Sequence, residues 1–338
     1  MKKIKVGLIG FGYWGPNIAR ILNDSIKVDL IYCVDILDSS LNLIKQQYPS
    51  VKTTKNYTDL IKDKSLEAVF IVTPTKTHFQ IAKEFLLANK HVFVEKPLTY
   101  DVKSAKNLVL IANKKNKKLA VGHIFLFNPA VKYIKKILDK KELGTLRYFH
   151  FQRRNLGPVR KDVNVLWDLA PHDISMLLYF IKEKPLSVFA TGQSFLQTSI
   201  EDVVYATITF ENKIMANLIY SWLDPIKIRD ITIVGNKKML LFNDVNVSDK
   251  IKIFDKNAKI IEETKGVPFG DYQVALHTGG VYIPALKTTE PLNEEINYFI
   301  DCINNNSQPI NNGINGLKVV QLIQSLQNSL EKKAIEYL

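Results

Sequence analysis

The sequence predicts an α/β domain built on a parallel sheet, followed by an α+β domain with an open, mainly antiparallel sheet. Three observations predict it. Over residues 1–122, near-continuous apolar runs alternate with amphipathic helical patterns, as parallel strands covered on both faces do. A glycine-rich turn, Gly10-x-Gly12-x-x-Gly15, joins the first strand pattern to the first helical one. Beyond Asn128 the rhythm changes to short alternating runs in close succession, which points to antiparallel pairing. The division is placed at 1–122 and 123–338, with the last helix able to pack back on the first domain.

Taken in order, the first domain offers strands at Lys5–Ile9, Val28–Val34, Ala68–Val72, His91–Glu95 and Leu119–Gly122. Helical patterns fall between them at Pro16–Leu22, Leu41–Gln47, Tyr57–Lys62, His78–Ala88 and Val102–Asn113. Asp101 is placed to cap the last of these. The second domain opens with a helix, Ala130–Leu138, and a strand, Arg147–Arg153. A second helix is predicted over Pro171–Ile181, because proline suits a first helical turn and not an interior. Strands follow at Leu186–Gly192, Val203–Phe210, Ile214–Trp222, Ile226–Val234, Lys238–Phe242 and Ile251–Phe254. Two helical patterns, Leu292–Asn304 and Gly316–Leu330, close the chain.

The glycine turn carries the first functional signal. Val6 to Ile9 lead into it, and Ile18, Ala19, Ile21 and Leu22 continue from it at helical spacing. Strand, tight turn and helix in that order let backbone N–H groups meet a pyrophosphate at a helix N-terminus. Gly10, Phe11, Gly12, Tyr13, Trp14 and Gly15 are the residues placed there. The second strand ends at Asp35, 20 residues after Gly15, where a carboxylate accepts hydrogen bonds from an adenosine ribose. Asp35 would repel a 2′-phosphate, and Ile36, Leu37 and Asp38 supply no cation to hold one. The cofactor implied is NAD rather than NADP.

Two further strand ends face the same edge. Thr73-Pro74, with His78 beyond, forms a turn where a bound cofactor would pass. Glu95-Lys96-Pro97 ends the next strand, and Lys96 is placed to reach a site beside the nicotinamide, since ligands of open α/β sheets lie at the carboxyl ends of strands. A cis Lys96–Pro97 bond would aim the lysine inward. In the second domain, Trp167-Asp168-Leu169-Ala170-Pro171-His172-Asp173 offers a histidine with Asp168 near enough to orient it, a general base of suitable pKa for a hydroxyl proton. Finally, the chain has only six arginines, and Arg147, Arg153, Arg154 and Arg160 fall close together. In a lysine-rich chain, that concentration is read either as bidentate recognition of phosphate or carboxylate or as a surface strand with ordinary ion pairs.

These motifs, in this order, closely resemble the Gfo/Idh/MocA oxidoreductases over nearly the whole chain, the glutamate–lysine–proline signature being the most specific part. The resemblance implies a Rossmann domain binding NAD, Lys96 assisting proton and hydride movement, His172 as acid/base, and a second-domain sheet whose free face forms homodimer or homotetramer contacts. The chain departs from the family pattern in three places. Ala170 and Ser175 stand where Gly and Asp are frequent around the histidine, and Leu126 stands near a frequent Arg, with Asn128 among the substrate-facing residues beside it. The Tyr13–Asn17 and Trp167–Asp173 stretches look like members acting on nucleotide-activated sugars. The leading expectation is therefore an NAD-dependent dehydrogenase of a nucleotide sugar such as a UDP-N-acetylhexosamine or its uronate, its ring hydroxyl (C3) oxidised, with Arg153, Arg154 and Arg160 on the diphosphate. The alternatives are an enzyme of a free sugar or inositol, or an NAD-sensing binding protein without turnover.

Composition narrows the rest. Hydrophobic residues make up 46% and charged residues 23%, as in soluble globular proteins. No apolar run approaches the ~20 residues of a membrane span, and the start of the chain lacks a secretory pattern; a cytoplasmic protein is expected. The net charge of +13 is mostly lysine spread along the chain, so no nucleic-acid partner is expected. Cys33 and Cys302 form no spaced pair, and no metal site is predicted.

Overall fold

The computed structural model describes residues 3–260 and 274–338. The chain forms two compact units, Met1–Asn128 with Thr289–Gln324, and Pro129–Thr288 with Ser325–Leu338.

The first unit runs β1 (Ile4–Ile9), α1 (Gly15–Asp24), β2 (Val28–Val34), α2 (Asp38–Gln47), β3 (Lys52–Thr54), α3 (Thr58–Lys62), β4 (Ala68–Ile71), α4 (Thr75–Leu87), β5 (His91–Val94), α5 (Val102–Lys114) and β6 (Leu119–Val121). Its strands make one parallel sheet in the order β3-β2-β1-β4-β5-β6. The order reverses between β1 and β4, which opens a crevice at their carboxyl ends. β4 and β6 are buried at every position, which is why their sequences read as unbroken apolar runs. Asp101 caps α5, its side chain accepting from the Ser104 amide at 2.7 Å. β3 is three residues long and carries no apolar pattern, so the sequence does not signal it.

The second unit contains α6 (Pro129–Asp139), β7 (Leu146–Leu156), α7 (Val165–Phe180), β8 (Pro185–Gln193), β9 (Val203–Phe210), β10 (Met215–Ser221), β11 (Leu223–Gly235), β12 (Met239–Asn243), β13 (Ile251–Ile260) and β14 (Val274–Tyr282). With a two-residue strand near the C-terminus, β15 (Glu336–Tyr337), they form a sheet in the order β14-β13-β12-β11-β7-β10-β9-β8-β15. Every neighbouring pair in it is antiparallel except β7 with β10. Alternation decides its faces. Phe149, Phe151, Val204, Ala206, Ile208, Leu218 and Tyr220 are buried, whereas Tyr148, Phe189, Tyr205 and Met215 point the other way and stay exposed.

The structure corrects the start of α7. It begins at Val165, where the Asn164 side chain accepts from the Trp167 amide at 3.1 Å, and Pro171 lies inside the helix. A mid-helix proline costs about 3 kcal/mol or more. The buried series Val165, Leu166, Ala170, Ile174 and Leu177 runs straight across it, and that burial outweighs the lost hydrogen bond.

The chain then supplies α8 (Pro291–Asn304) and α9 (Gly313–Lys332). Leu292, Ile296, Phe299 and Ile300 of α8 share a core with Val6 and Leu8 of β1 and Ile18, Ile21 and Leu22 of α1. Phe299 stands edge-on to Phe70 and Phe93, 5.7 Å from each. Such pairs add about 0.5–1.5 kcal/mol each beyond area burial. This packing explains why the first unit takes in residues beyond a linear boundary at 122/123. No helix among the described residues is long and apolar enough to cross a membrane.

Candidate active site

In the first unit the glycine turn is built for close approach. Gly10 has φ +97°, and a Cβ there would lie 2.6 Å from the Val72 carbonyl oxygen. A Cβ on Gly15 would lie 2.7 Å from the Gly10 carbonyl oxygen, so helix and turn pack as tightly as glycine allows. Gly12 has open space around it. The N-terminus of α1 carries no side-chain cap, and Pro16 occupies its first turn, which leaves the amide donors there for an anion. Asp35, just past β2, accepts from the Phe11 amide at 2.6 Å and the Leu37 amide at 2.9 Å. Phe11 is buried, while Tyr13 is 95% exposed, its ring stacked on Trp14. These features fit a dinucleotide, with its pyrophosphate on the turn and its ribose at Asp35.

Beside this turn, β4 and β5 end in loops tied together by His78. The ring is 1% exposed, with Nε2 2.8 Å from the Thr73 carbonyl and Nδ1 2.9 Å from the Pro97 carbonyl. His78 therefore holds the Thr73-Pro74 and Lys96-Pro97 turns from beneath rather than presenting itself at their surface. Burial pulls its pKa down, against the two carbonyls. The Lys96–Pro97 peptide is cis. The Glu95 carboxyl is enclosed: a Cβ on Gly122 would come within 2.9 Å of both its oxygens. Burial pushes it up to about 7, although the Lys96 amide and ammonium and the Trp14 indole favour its charged form.

Three residues of this region have no counterpart among the sequence-predicted ones: His123, just past β6; Glu295, on α8; and Asn311. All are fully buried. Burial, reinforced by Lys96, drives His123 down to about 3. His123 follows a strand end, as Thr73 and Lys96 do, and Glu295 is a charge on the apolar face of α8; those were the available signals. Asn128 follows a short 3-10 turn, Ile124–Phe127, its amide donating to the Phe125 carbonyl at 3.1 Å.

In the second unit, Asp168 and His172 lie one turn apart on α7, which puts them on one helix face. Asp168 accepts from the Trp222 indole at 3.2 Å and from Arg160 at 3.3 Å. Ser175 Oγ donates to the His172 carbonyl at 2.7 Å. The next residue, Asp173, is buried against Arg153, with Nη2 2.6 Å and Nε 3.1 Å from its carboxylate.

The arginines that are neighbours in sequence are not neighbours in function. Successive residues of a strand point to opposite faces. Arg153 of β7 enters the interior, where Asp173 neutralises it. Arg154 points to the other face, bonded to Asp224 at 2.9 Å and Gln152 at 2.7 Å. Arg147 reaches the Ala258 carbonyl. The diphosphate site expected of Arg153 and Arg154 together is therefore not formed, and Arg153 is an internal ion pair. Arg160 differs. It lies before α7, half-buried, bonded to Asp162 at 2.7 Å and to Asp168, and those carboxylates raise its pKa further.

Residues 4–123 match the model of an oxidoreductase family with an NAD-binding Rossmann fold, GFO_IDH_MocA, and residues 131–241 match the GFO/IDH/MocA C-terminal domain. The chain belongs to the GFO/IDH/MocA family. Members similar to it include an uncharacterized oxidoreductase of Bacillus subtilis, 26% identical over 97% of this chain and 95% of that one. A UDP-N-acetylglucosamine 3-dehydrogenase of Acidithiobacillus ferrooxidans is 35% identical over 45% of this chain and 48% of its own. The solved structure of UDP-N-acetylglucosamine 3-dehydrogenase from that organism superposes with a TM-score of 0.82, at 25% identity, over 98% of this chain and 99% of the other. This GFO/IDH/MocA member is thus an NAD-binding oxidoreductase with a Rossmann domain and a mixed, mostly antiparallel second sheet.

Proposed function

We propose that this oxidoreductase oxidises a secondary ring hydroxyl of a nucleotide-activated sugar to a ketone. The observation that carries the chemistry is Lys96, at the carboxyl end of β5, on a turn that His78 ties to the neighbouring strand end, in the unit that holds the glycine turn. NAD supplies the hydride acceptor. In this reading the substrate hydroxyl gives its proton to His172 while the C–H bond breaks, and Lys96 holds the oxygen as it becomes a carbonyl. Asp168, one turn before His172, orients the imidazole, as general bases require. The substrate class is supported by the likeness to UDP-N-acetylglucosamine 3-dehydrogenase along nearly the whole chain. Arg160, before α7, is the group we assign to the diphosphate; three of its five N–H donors are directed at Asp162 and Asp168, leaving donors over for phosphate oxygens. The test is NADH absorbance on incubation with NAD and a panel of UDP-N-acetylglucosamine, its uronate, free glucose and myo-inositol. Turnover of a nucleotide sugar above the free compounds is the expected result; equal or better turnover of a free polyol would reverse the assignment.

A further inference from the structure

Helix α8 carries a carboxyl group that the reaction does not use. Glu295 stands on α8 between the buried Leu292 and Phe299, with no exposed surface. Its Oε1 accepts from Asn311 Nδ2 at 3.0 Å, while its Oε2 is buried and accepts no hydrogen bond. Asn311 is in turn fixed to β6: its side-chain Nδ2 donates to the Val121 carbonyl at 2.7 Å, and its backbone carbonyl accepts from the Val121 amide at 2.8 Å. The residue after Val121 is Gly122, and against it is enclosed a second carboxyl, Glu95, which accepts from the Lys96 amide at 3.1 Å; the end of β6 thus brings Glu95 and the Asn311–Glu295 pair together. Lys96, on the same turn as Glu95, acts on Glu95 and also on His123, past β6. Between the α1 region and α8, the pairs Arg20–Glu290 and Lys27–Asp301 are part-exposed.

Two carboxylates do not both stay ionised in one dry site. A buried anionic oxygen that accepts no hydrogen bond is costly as well. One proton on Oε2 removes the buried charge and the repulsion, and turns Glu295 into a donor. We propose that Glu295 is held as a neutral carboxylic acid and acts as a positioning residue, steadying the Glu95 carboxylate that balances the charge of Lys96. This rests on the role given to Lys96 above. Burial and the Glu95 charge push Glu295 well above the usual carboxylate range. Glu95 has the Lys96 amide and ammonium and the Trp14 indole to favour its charged form, whereas Glu295 has Asn311 alone, so the proton is placed on Glu295. His123, neutral, adds no compensating charge.

The experiment compares the parent with Glu295→Gln and Glu295→Leu by infrared spectroscopy near pH 8, by the pH profile of kcat, and by NAD affinity. The parent should show a protonated-carboxyl band that Glu295→Gln lacks. The glutamine amide can replace the acid's donor, so this variant should keep the parent's pH profile. Glu295→Leu removes the donor, Glu95 takes up a proton, and the ammonium of Lys96 loses its counter-charge. The limb of the profile set by Lys96 should then move about one unit toward lower pH, a modest shift for loss of one nearby charge, with NAD affinity unchanged. No band lost in Glu295→Gln, or a Leu variant whose profile coincides with the parent's, overturns the proposal. If the Leu variant does not fold, the infrared comparison decides alone. A Lys96→Met variant with parental kcat would instead sink the catalytic reading, and would leave the band in place.

Discussion

Asp35 accepts a hydrogen bond from the backbone amide of Phe11 at 2.6 Å, joining the end of the second strand to the glycine turn. The carboxylate is thus held where the adenosine ribose of a dinucleotide would lie, with exposed Ile36 and Leu37 beside it. A 2′-phosphate would meet this negative charge, and the nearby Lys55 is already paired with Asp38 at 2.8 Å. NAD should bind more tightly than NADP, and Asp35→Ser combined with Ile36→Arg should move the preference toward NADP. Titration of both cofactors into parent and variant measures this; tighter NADP binding by the parent would contradict it.

Lys96 and His172 are each assigned to the proton-transfer step. Lys96→Met and His172→Ala should each lower kcat by roughly 10²–10⁴-fold, the scale of general acid–base catalysis, with NAD affinity close to the parent's. The double variant should lose little more than the worse single one, since groups acting in one step are not additive. Steady-state kinetics and cofactor titration check both points; a His172→Ala enzyme with parental kcat would remove the histidine from the mechanism.

The substrate assignment separates two arginines close together in sequence. Losing a charge-assisted contact to phosphate costs about 1.5–3 kcal/mol. Arg160→Gln should therefore raise KM for the nucleotide sugar roughly 10–150-fold. Arg154→Gln, on the opposite face from Asp173's partner Arg153, should change it little. Equal effects of the two substitutions would count against the diphosphate role of Arg160.

Much of this was legible in the sequence, and the pattern of what was not has physical causes. Gly10, Asp35, Thr73 and Lys96 could be placed because each ends a strand of a parallel sheet, so sequence position alone sets them at one edge. Arg153 and Arg154 misled because adjacency along a strand means opposite faces. Pro171 misled because local preference was weighed without the packing of α7, which only the fold reveals. Glu295 was a lone acid in an apolar helix pattern, and its meaning depends on Glu95, 200 residues away. Neither β14, with Gly279 and Gly280 in its run, nor β15 has a pattern of its own; pairing partners define them.

Stability should fall on both sides of neutrality, for opposite reasons. Burial lowers His78, His91 (to about 4) and His123 (to about 3). The unfolded chain binds protons at these sites that the folded chain refuses, so their contribution is present above the ordinary histidine value near 6.5 and is lost as pH falls below it. Glu295 has the reverse sign. Raised in the fold, it favours the folded state below its unfolded value and weakens it as pH climbs toward the folded one, by up to ~1.4 kcal/mol per pH unit. Thermal melts from pH 4 to 9 should show a maximum between, and Glu295→Gln should gain on the parent progressively above pH 5. A constant difference between them across that range would be inconsistent with a buried neutral acid.

The outward face of the second sheet carries Phe189, Tyr205, Met215 and Tyr148, with Tyr205 opposite Ile219 and Met215 opposite Tyr148 in register. A broad apolar face is unusual on a monomer, and we predict a homo-oligomer formed through it. Light scattering at micromolar concentration should give a multiple of 38.6 kDa, and Tyr205→Glu should lower that mass. A monomeric parent would leave the face unexplained.

The return of α8 and Asn311 to the first unit also bears on how the protein is made. A ribosome releases residues 1–128 early, yet the core around Phe70 and Phe93 lacks Phe299, and the edge of β6 lacks Asn311, until nearly the whole chain has emerged. The unit that begins first therefore cannot be completed until residues 289–324 have emerged, after most of the second unit. While the second unit is being synthesised, the nascent first one exposes apolar surface and an unpaired strand edge, the features that chaperones recognise and that drive aggregation. Cutting a cofactor-binding fragment out at residue 128 would make that transient state permanent.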